Sequence, residues 1–296
     1  MSASNVLSRS IPADLAEMVA ATDGQREVDW HGRKVVVIHE QWGSLAVSLQ
    51  GAQVLHFAPR GQSPWLWLTA TPYEAPQAIR GGIPLSWPWF ADREDGQGPQ
   101  HGYARIAEWR LDASEEENDG IELHLSPLQP LDEQLSPRVV IKANHQRLRV
   151  ELITEHTGDT PVRFTQALHS YFAVSNTHSS RVEGLAGATF IDKMNGFRES
   201  EQQGELAVRG ALDRMYHSNR ALTLVDTRAE GDHRLRIAKE GSDSSVIWHP
   251  GDKRPNDIPA DHLYGFLCVE AACTQLDPIW LAPGSQHLLA QQITLD

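Results

Sequence analysis

Past residue 24 the chain shows almost no helical periodicity and instead repeats the two-residue alternation of a strand. Leu148, Val150 and Leu152 fall on one face, with Arg147, Arg149 and Glu151 on the other, as a half-exposed antiparallel strand requires. Short segments of this kind recur at 34–40, 44–57 with a bend at Gly51, 106–112, 121–125, 139–143, 162–174, 182–187, 188–192, 207–212, 221–226, 235–239, 245–249, 263–270, 279–281 and 286–294. Turn residues separate them. The acidic run Glu115 to Glu117 reads as a solvated turn between two of them. One helix pattern exists, over 12–21. Pro12 suits its first turn, Ser10 is available as a cap and Gly24 is placed to stop it. The expectation is an all-β antiparallel sandwich, or large curved double sheet, with one short N-terminal helix. Residues 1–24 read as an arm with loose first residues and that helix, and 25–296 as one sandwich domain. The stretch 250–261 has linker composition but lies too near the end to leave a second domain, so it reads as a surface loop.

The 296 residues suffice for a large core. A formal net charge of −13 argues against nucleic acid as a partner. No leader-like apolar stretch opens the chain and no run of about 20 apolar residues could span a bilayer. A cytoplasmic protein without membrane partners is expected, and a monomer. The two cysteines, Cys268 and Cys273, make no disulfide framework and read as reduced, semi-buried core residues. No metal-binding motif is found, so no metal is expected. The Gly-Lys-Ser/Thr ending of a P-loop and the Gly-x-Ser-x-Gly elbow are also absent.

The stretch from Ile79 to Arg105 is poor material for a plain strand. Pro84 and Pro88 remove backbone donors, and Gly81-Gly82 permit close backbone approach. Arg80 and Arg105 stand beside these residues, and a guanidinium can hold an anion through its planar fork of donors. Two readings are open: a pocket wall for an anionic small molecule, or a proline-rich loop with surface arginines. Further along, His169 sits in Gln-Ala-Leu-His-Ser-Tyr-Phe. Alternation points Ala167, His169 and Tyr171 one way and Leu168, Ser170 and Phe172 the other. His169 is a general acid or base, or a hydrogen-bonded core histidine. Glu270 ends a hydrophobic strand and its flanks carry no charge from Tyr264 to Gln275. A carboxylate there is expensive unless paired or working. Asp213, between two strand segments, is a turn residue, an ion-pair partner or a hydroxyl acceptor. His101 is ambiguous in the same way.

Taken together and in order, Arg80-Gly-Gly-Ile-Pro, Trp87-Pro-Trp-Phe, Gln100-His-Gly-Tyr-Ala-Arg, Ala167-Leu-His-Ser-Tyr-Phe, Leu212-Asp-Arg-Met-Tyr and Cys268-Val-Glu-Ala-Ala resemble the hexose-6-phosphate mutarotases. These form the D-hexose-6-phosphate 1-epimerase branch of the aldose 1-epimerase, or galactose mutarotase-like, superfamily. The resemblance spans roughly residues 30 to 295 and includes Trp280-Leu-Ala-Pro-Gly. It implies the galactose mutarotase-like supersandwich and interconversion of the anomers of a sugar phosphate, glucose 6-phosphate foremost, without a metal or organic cofactor. By motif, His169 matches the general acid and Glu270 the general base. Arg80, Gln100, Arg105 and Asp213 match substrate-binding positions, and His101 is grouped with them. Trp248-His249-Pro250 stands where Trp-Asn-Pro is expected, so His249 is expected to alter a contact at the cleft edge. The alternatives are a mutarotase for neutral or uronate aldoses, and a non-catalytic carbohydrate-binding protein on the same fold. Retention of both His169 and Glu270 disfavours the second.

Overall fold

Two large antiparallel sheets carry the molecule, in a computed structural model that describes residues 10–117 and 119–296. The expected loose start, residues 1–9, lies outside the described residues. The larger sheet has nine strands. It runs from Leu206–Ala207 and Ser180–Glu183 through Leu222–Arg228, Gly231–Glu240, Gln286–Leu295, Arg147–His156, Leu135–Asn144 and Gly120–Pro127 to Trp109–Glu117. The second has eight: Arg198–Glu201, Thr189–Asp192, Leu212–His217, Ser244–His249, Phe266–Cys273, Gln166–Leu168 and Leu85–Ser86, with Tyr171–Ala173 also paired to Phe266–Cys273. A third sheet of four strands, Gly24–Trp30, Arg33–Glu40, Gly43–Ser48 and Gln53–Pro59, precedes both.

Strand alternation explains the layers. Arg147–His156 alternates half-buried and buried residues throughout. Its inward Leu148, Val150 and Leu152 join Leu168, Phe172, Ile247, Leu267 and Val269 of the eight-stranded sheet in one core cluster. The strand Arg33–Glu40 is apolar on both faces because both are covered. Val36 and Ile38 enter the main cluster, whereas Val35 and Val37 pack under Leu15 and Val19 of the helix Ala13–Ala20. That helix begins at Pro12 without a side-chain cap bond. The N-cap position is Pro12 and not Ser10, whose carbonyl accepts from the Leu68 N–H.

Three segments differ from expectation. The acidic residues Glu115 to Glu117 end a strand and pair across to Gly120, so the run is not the turn. Its side chains are exposed, and a solvated strand edge tolerates charge as well as a turn does. Residues 162–174 are not one strand but three, Val162–Phe164, Gln166–Leu168 and Tyr171–Ala173. The break falls at His169-Ser170, where the His169 N–H turns to the Pro84 carbonyl and the Ser170 N–H to that of Leu168. Asp213 lies within the strand Leu212–His217, not between strands. Gly24–Trp30 and Arg198–Glu201, polar and largely exposed, carry no apolar alternation and were not foreseen. Among the described residues no helix is long and apolar enough to cross a membrane.

Candidate active site

The eight-stranded sheet buries one face against the core and turns the other to a cavity of about 460 Å³. All seven residues singled out in the sequence, Arg80, Gln100, His101, Arg105, His169, Asp213 and Glu270, line it. Register explains the sheet residues. Asp213, Trp248 and Cys268 are successive cross-strand partners, as are Met215, Val246 and Glu270. Side chains directly opposite share a face, so Asp213, Trp248 and Glu270 open on the same side. Tyr171 pairs with Cys268 and brings His169 alongside.

His169 Nδ1 stands 3.3 Å from Glu270 Oε1. Neither His169 Nδ1 nor Glu270 Oε2 has a hydrogen-bond partner, although both atoms are buried. Unpaired buried polar atoms are costly, and here they face a cavity that a polar ligand could fill. The His169 ring is stacked on Tyr171 at 4.9 Å and edged by Trp248 and His101. Burial first, then the Arg105 and Arg80 charges, lower its pKa to about 3, so the imidazole is neutral at rest. Burial, with Asp213 adding to it, pushes the Glu270 carboxyl well up, and Lys193 opposes the rise.

His101 is held in one tautomer. The Ala91 N–H donates to its Nδ1 at 3.2 Å, and Ser86 Oγ lies 3.0 Å from the same nitrogen. An Nδ1 that accepts from a backbone N–H carries no proton, so the neutral ring bears its hydrogen on Nε2 as a donor. Burial, then the His169 and Arg105 charges, push its pKa well down, in agreement. The local chain geometry is demanding: His101 is left-handed at φ 62°. A Cβ on Gly102 would come within 2.1 Å of the Trp87 carbonyl. Gly82 is as tight, since a Cβ there would lie 1.9 Å from the Val54 carbonyl.

The two arginines are not equivalent. Arg80 Nε lies 2.9 Å from both Asp257 carboxylate oxygens, and Nη1 donates to the Tyr171 hydroxyl. Arg105 has no acidic partner among the described residues. Its Nη2 donates to the Gln100 carbonyl and its Nε is buried without a partner. Asp213 is balanced by Lys193, 3.2 Å away. Asp257 and Lys193 were missed in the sequence. Asp257 belongs to the 250–261 segment read as a surface loop, most of which is exposed while Asp257 and Ile258 turn inward and are buried. Lys193 lies in a short 3-10 turn, and nothing local marks it as a cleft residue. His249 does not border the cavity. It is buried, accepting from the Gly251 N–H and reaching the Leu263 carbonyl at 2.9 Å, so it ties down the loop that follows it and does not shape the cleft edge. Both cysteines are free and fully buried, not semi-buried.

A β-supersandwich with a histidine–carboxylate pair above a polar cleft defines a class, and comparison with known proteins agrees. The aldose 1-epimerase family profile matches residues 33–294. The chain belongs to the aldose 1-epimerase family, enzymes of the mutarotase kind. It is 32% identical over 246 residues to an Escherichia coli K12 protein named as a candidate glucose-6-phosphate 1-epimerase, covering 80% of this chain and 82% of that one. A Cenchrus ciliaris protein with the same name is 29% identical over 306 residues, covering 93% and 86% of the two chains. The crystal structure of a candidate mutarotase, YeaD, from Salmonella typhimurium superimposes with a TM-score of 0.86 at 26% identity. That superposition covers 95% of this chain and 99% of the other.

Proposed function

We propose that this aldose 1-epimerase interconverts the α and β anomers of a hexose 6-phosphate, glucose 6-phosphate foremost. The observation that carries the reading is the Arg105 guanidinium, whose charge no acidic side chain balances among the described residues and whose Nε is unpartnered, in the same cavity as the His169–Glu270 pair. A neutral sugar would take only ordinary hydrogen bonds from it, whereas a phosphate adds the stronger charge-assisted pair. The names of the relatives from Escherichia coli and Cenchrus ciliaris support the same substrate class.

In the reaction, the Glu270 carboxylate takes the proton of the C1 hydroxyl while the His169 imidazolium gives one to the ring oxygen. The ring C–O bond breaks and C1 becomes an aldehyde. Rotation about C1–C2 presents the other face, and closure returns both protons. Each transfer supplies about 10²–10⁴-fold. Arg105 seats the phosphate, with Arg80 beside it already half-neutralised by Asp257. His101 offers its Nε2–H and Gln100 its amide to sugar oxygens, and Asp213 accepts from a hydroxyl. The same reading has the enzyme working as a cytoplasmic monomer, which gel filtration at 32.9 kDa checks.

The deciding experiment is anomer exchange measured by NMR on glucose 6-phosphate and glucose, in wild type and Arg105→Ala. Wild type should favour the phosphate ester strongly and Arg105→Ala should lose most of that preference. Equal rates on the two sugars in wild type would favour a neutral-sugar mutarotase.

A further inference from the structure

We propose that His169, Cys268 and Glu270 form a zinc site whose occupation switches the enzyme off. Their donor atoms, one from each residue, all lie within 4.8 Å of one another, and all three side chains are buried. Cys268 and Glu270 are two apart on the strand Phe266–Cys273 and share its cleft face, while Tyr171, the cross-strand partner of Cys268, places His169 beside them. Two of the donors are already without hydrogen-bond partners, His169 Nδ1 and Glu270 Oε2.

The donor set decides the ion. An imidazole nitrogen, a thiolate and a carboxylate oxygen suit Zn²⁺ and its relatives, not Mg²⁺ or Ca²⁺, which take oxygen ligands. With bond lengths of about 2.0–2.3 Å, donors around a tetrahedral zinc stand about 3.3–3.7 Å apart. His169 Nδ1 and Glu270 Oε1, at 3.3 Å, already meet this. The remaining contraction is about 1 Å, within reach of side-chain rotation. A fourth position faces the cavity and takes water or a sugar hydroxyl, the arrangement of an open zinc site.

Charge permits it. Arg80 and Lys193 are balanced by Asp257 and Asp213, which leaves Arg105 as the cation that opposes a bound metal ion. A dication with one thiolate and one carboxylate adds no net charge to the cleft. Binding releases the Cys268 thiol proton, and that of Glu270 where it is protonated, to solvent. Zinc then holds the electron pairs that proton transfer needs.

The test combines activity with a spectrum, because the activity arm rests on the mutarotase reading and the spectrum does not. Added Zn²⁺ should abolish most anomer exchange, followed directly by NMR, and chelation should restore it. Cys268→Ala should keep its exchange activity, which also reports its folding, and need at least about 10–100-fold more Zn²⁺ for inhibition, the loss expected even for a group that only supports a metal ligand. Cys268→Ser serves if the alanine variant is unstable. Co²⁺ added to wild type should give thiolate-to-metal charge-transfer absorption that disappears in Cys268→Ala and persists in Cys273→Ala. Inhibition that is unchanged in Cys268→Ala, or absence of the Cys268-dependent absorption in wild type, overturns the proposal.

Discussion

Burial works against the charged form of both Glu270 and His169. Burial raises the carboxyl, and burial together with Arg105 and Arg80 keeps the imidazole neutral. A protonated Glu270 beside a neutral His169 has the same proton count as the carboxylate–imidazolium pair that our mechanism uses. The arginine charges that depress His169 are the ones that a bound phosphate would neutralise, so substrate should shift the pair towards its working form. We therefore expect phosphate to raise kcat as well as lower KM. A kcat for glucose about 10–100-fold below that for glucose 6-phosphate corresponds to about 1.4–2.7 kcal/mol in the barrier, and steady-state kinetics on both sugars measures it. Glu270→Gln removes the base but keeps the shape, and should cost about 10²–10⁴-fold in exchange rate at an unchanged circular dichroism spectrum. An active variant would take Glu270 out of the mechanism. The residue types were legible, since a carboxylate in an uncharged strand end stands out. That its partner is His169 was legible only through the resemblance to the mutarotases, because nothing in either motif by itself points to the other.

Elements set these residues in place through contacts that local sequence does not announce. The 250–261 segment carries Asp257 to Arg80, 177 residues away. In Asp257→Asn the amide can still accept from Arg80 but no longer balances its charge. Its expected cost is about 1–3 kcal/mol of stability, short of a fully buried pair because Arg80 keeps 26% of its side chain exposed. KM for glucose 6-phosphate should rise more than kcat falls, which thermal melts and kinetics together test. Behind His169, Ser170 Oγ donates to Gln291, whose Nε2 donates to the Val269 carbonyl. This buried bridge ties the two sheets at the break that aims His169. Gln291→Leu leaves those groups unsatisfied and should cost about 1–3 kcal/mol, read from denaturant unfolding. The break itself was illegible: 162–174 keeps the alternation of one strand, and only the competing Pro84 carbonyl divides it.

For the whole molecule, buried histidines couple stability to pH. His56 is held near 4 and His169 near 3, both chiefly by burial. Unfolded, each would bind a proton below about 6.5, whereas the folded chain resists until much lower pH. Their contribution is thus present above pH 6.5 and is lost as pH falls through the window down to about 4, by up to about 1.4 kcal/mol per pH unit for each. The raised Glu270 carboxyl gains stability as pH falls and offsets part of the His169 loss. The drop in melting temperature across that window should therefore come chiefly from His56, and His56→Gln should flatten it; an unchanged profile in His56→Gln would show that this ring charges freely in the folded state. By itself the sequence determined the β class, the inward face of most strands and the residue types that meet in the cleft. Those properties depend on a two-residue period and on motifs that are each a few residues long. Tertiary structure alone decided that Arg80 is balanced by Asp257 while Arg105 donates only to a carbonyl, that His249 anchors a loop away from the cleft, and that Cys268 lies beside His169 and Glu270. Each of these depends on which strands become neighbours and in what register, and that choice is made by packing distant faces together, which no local pattern records.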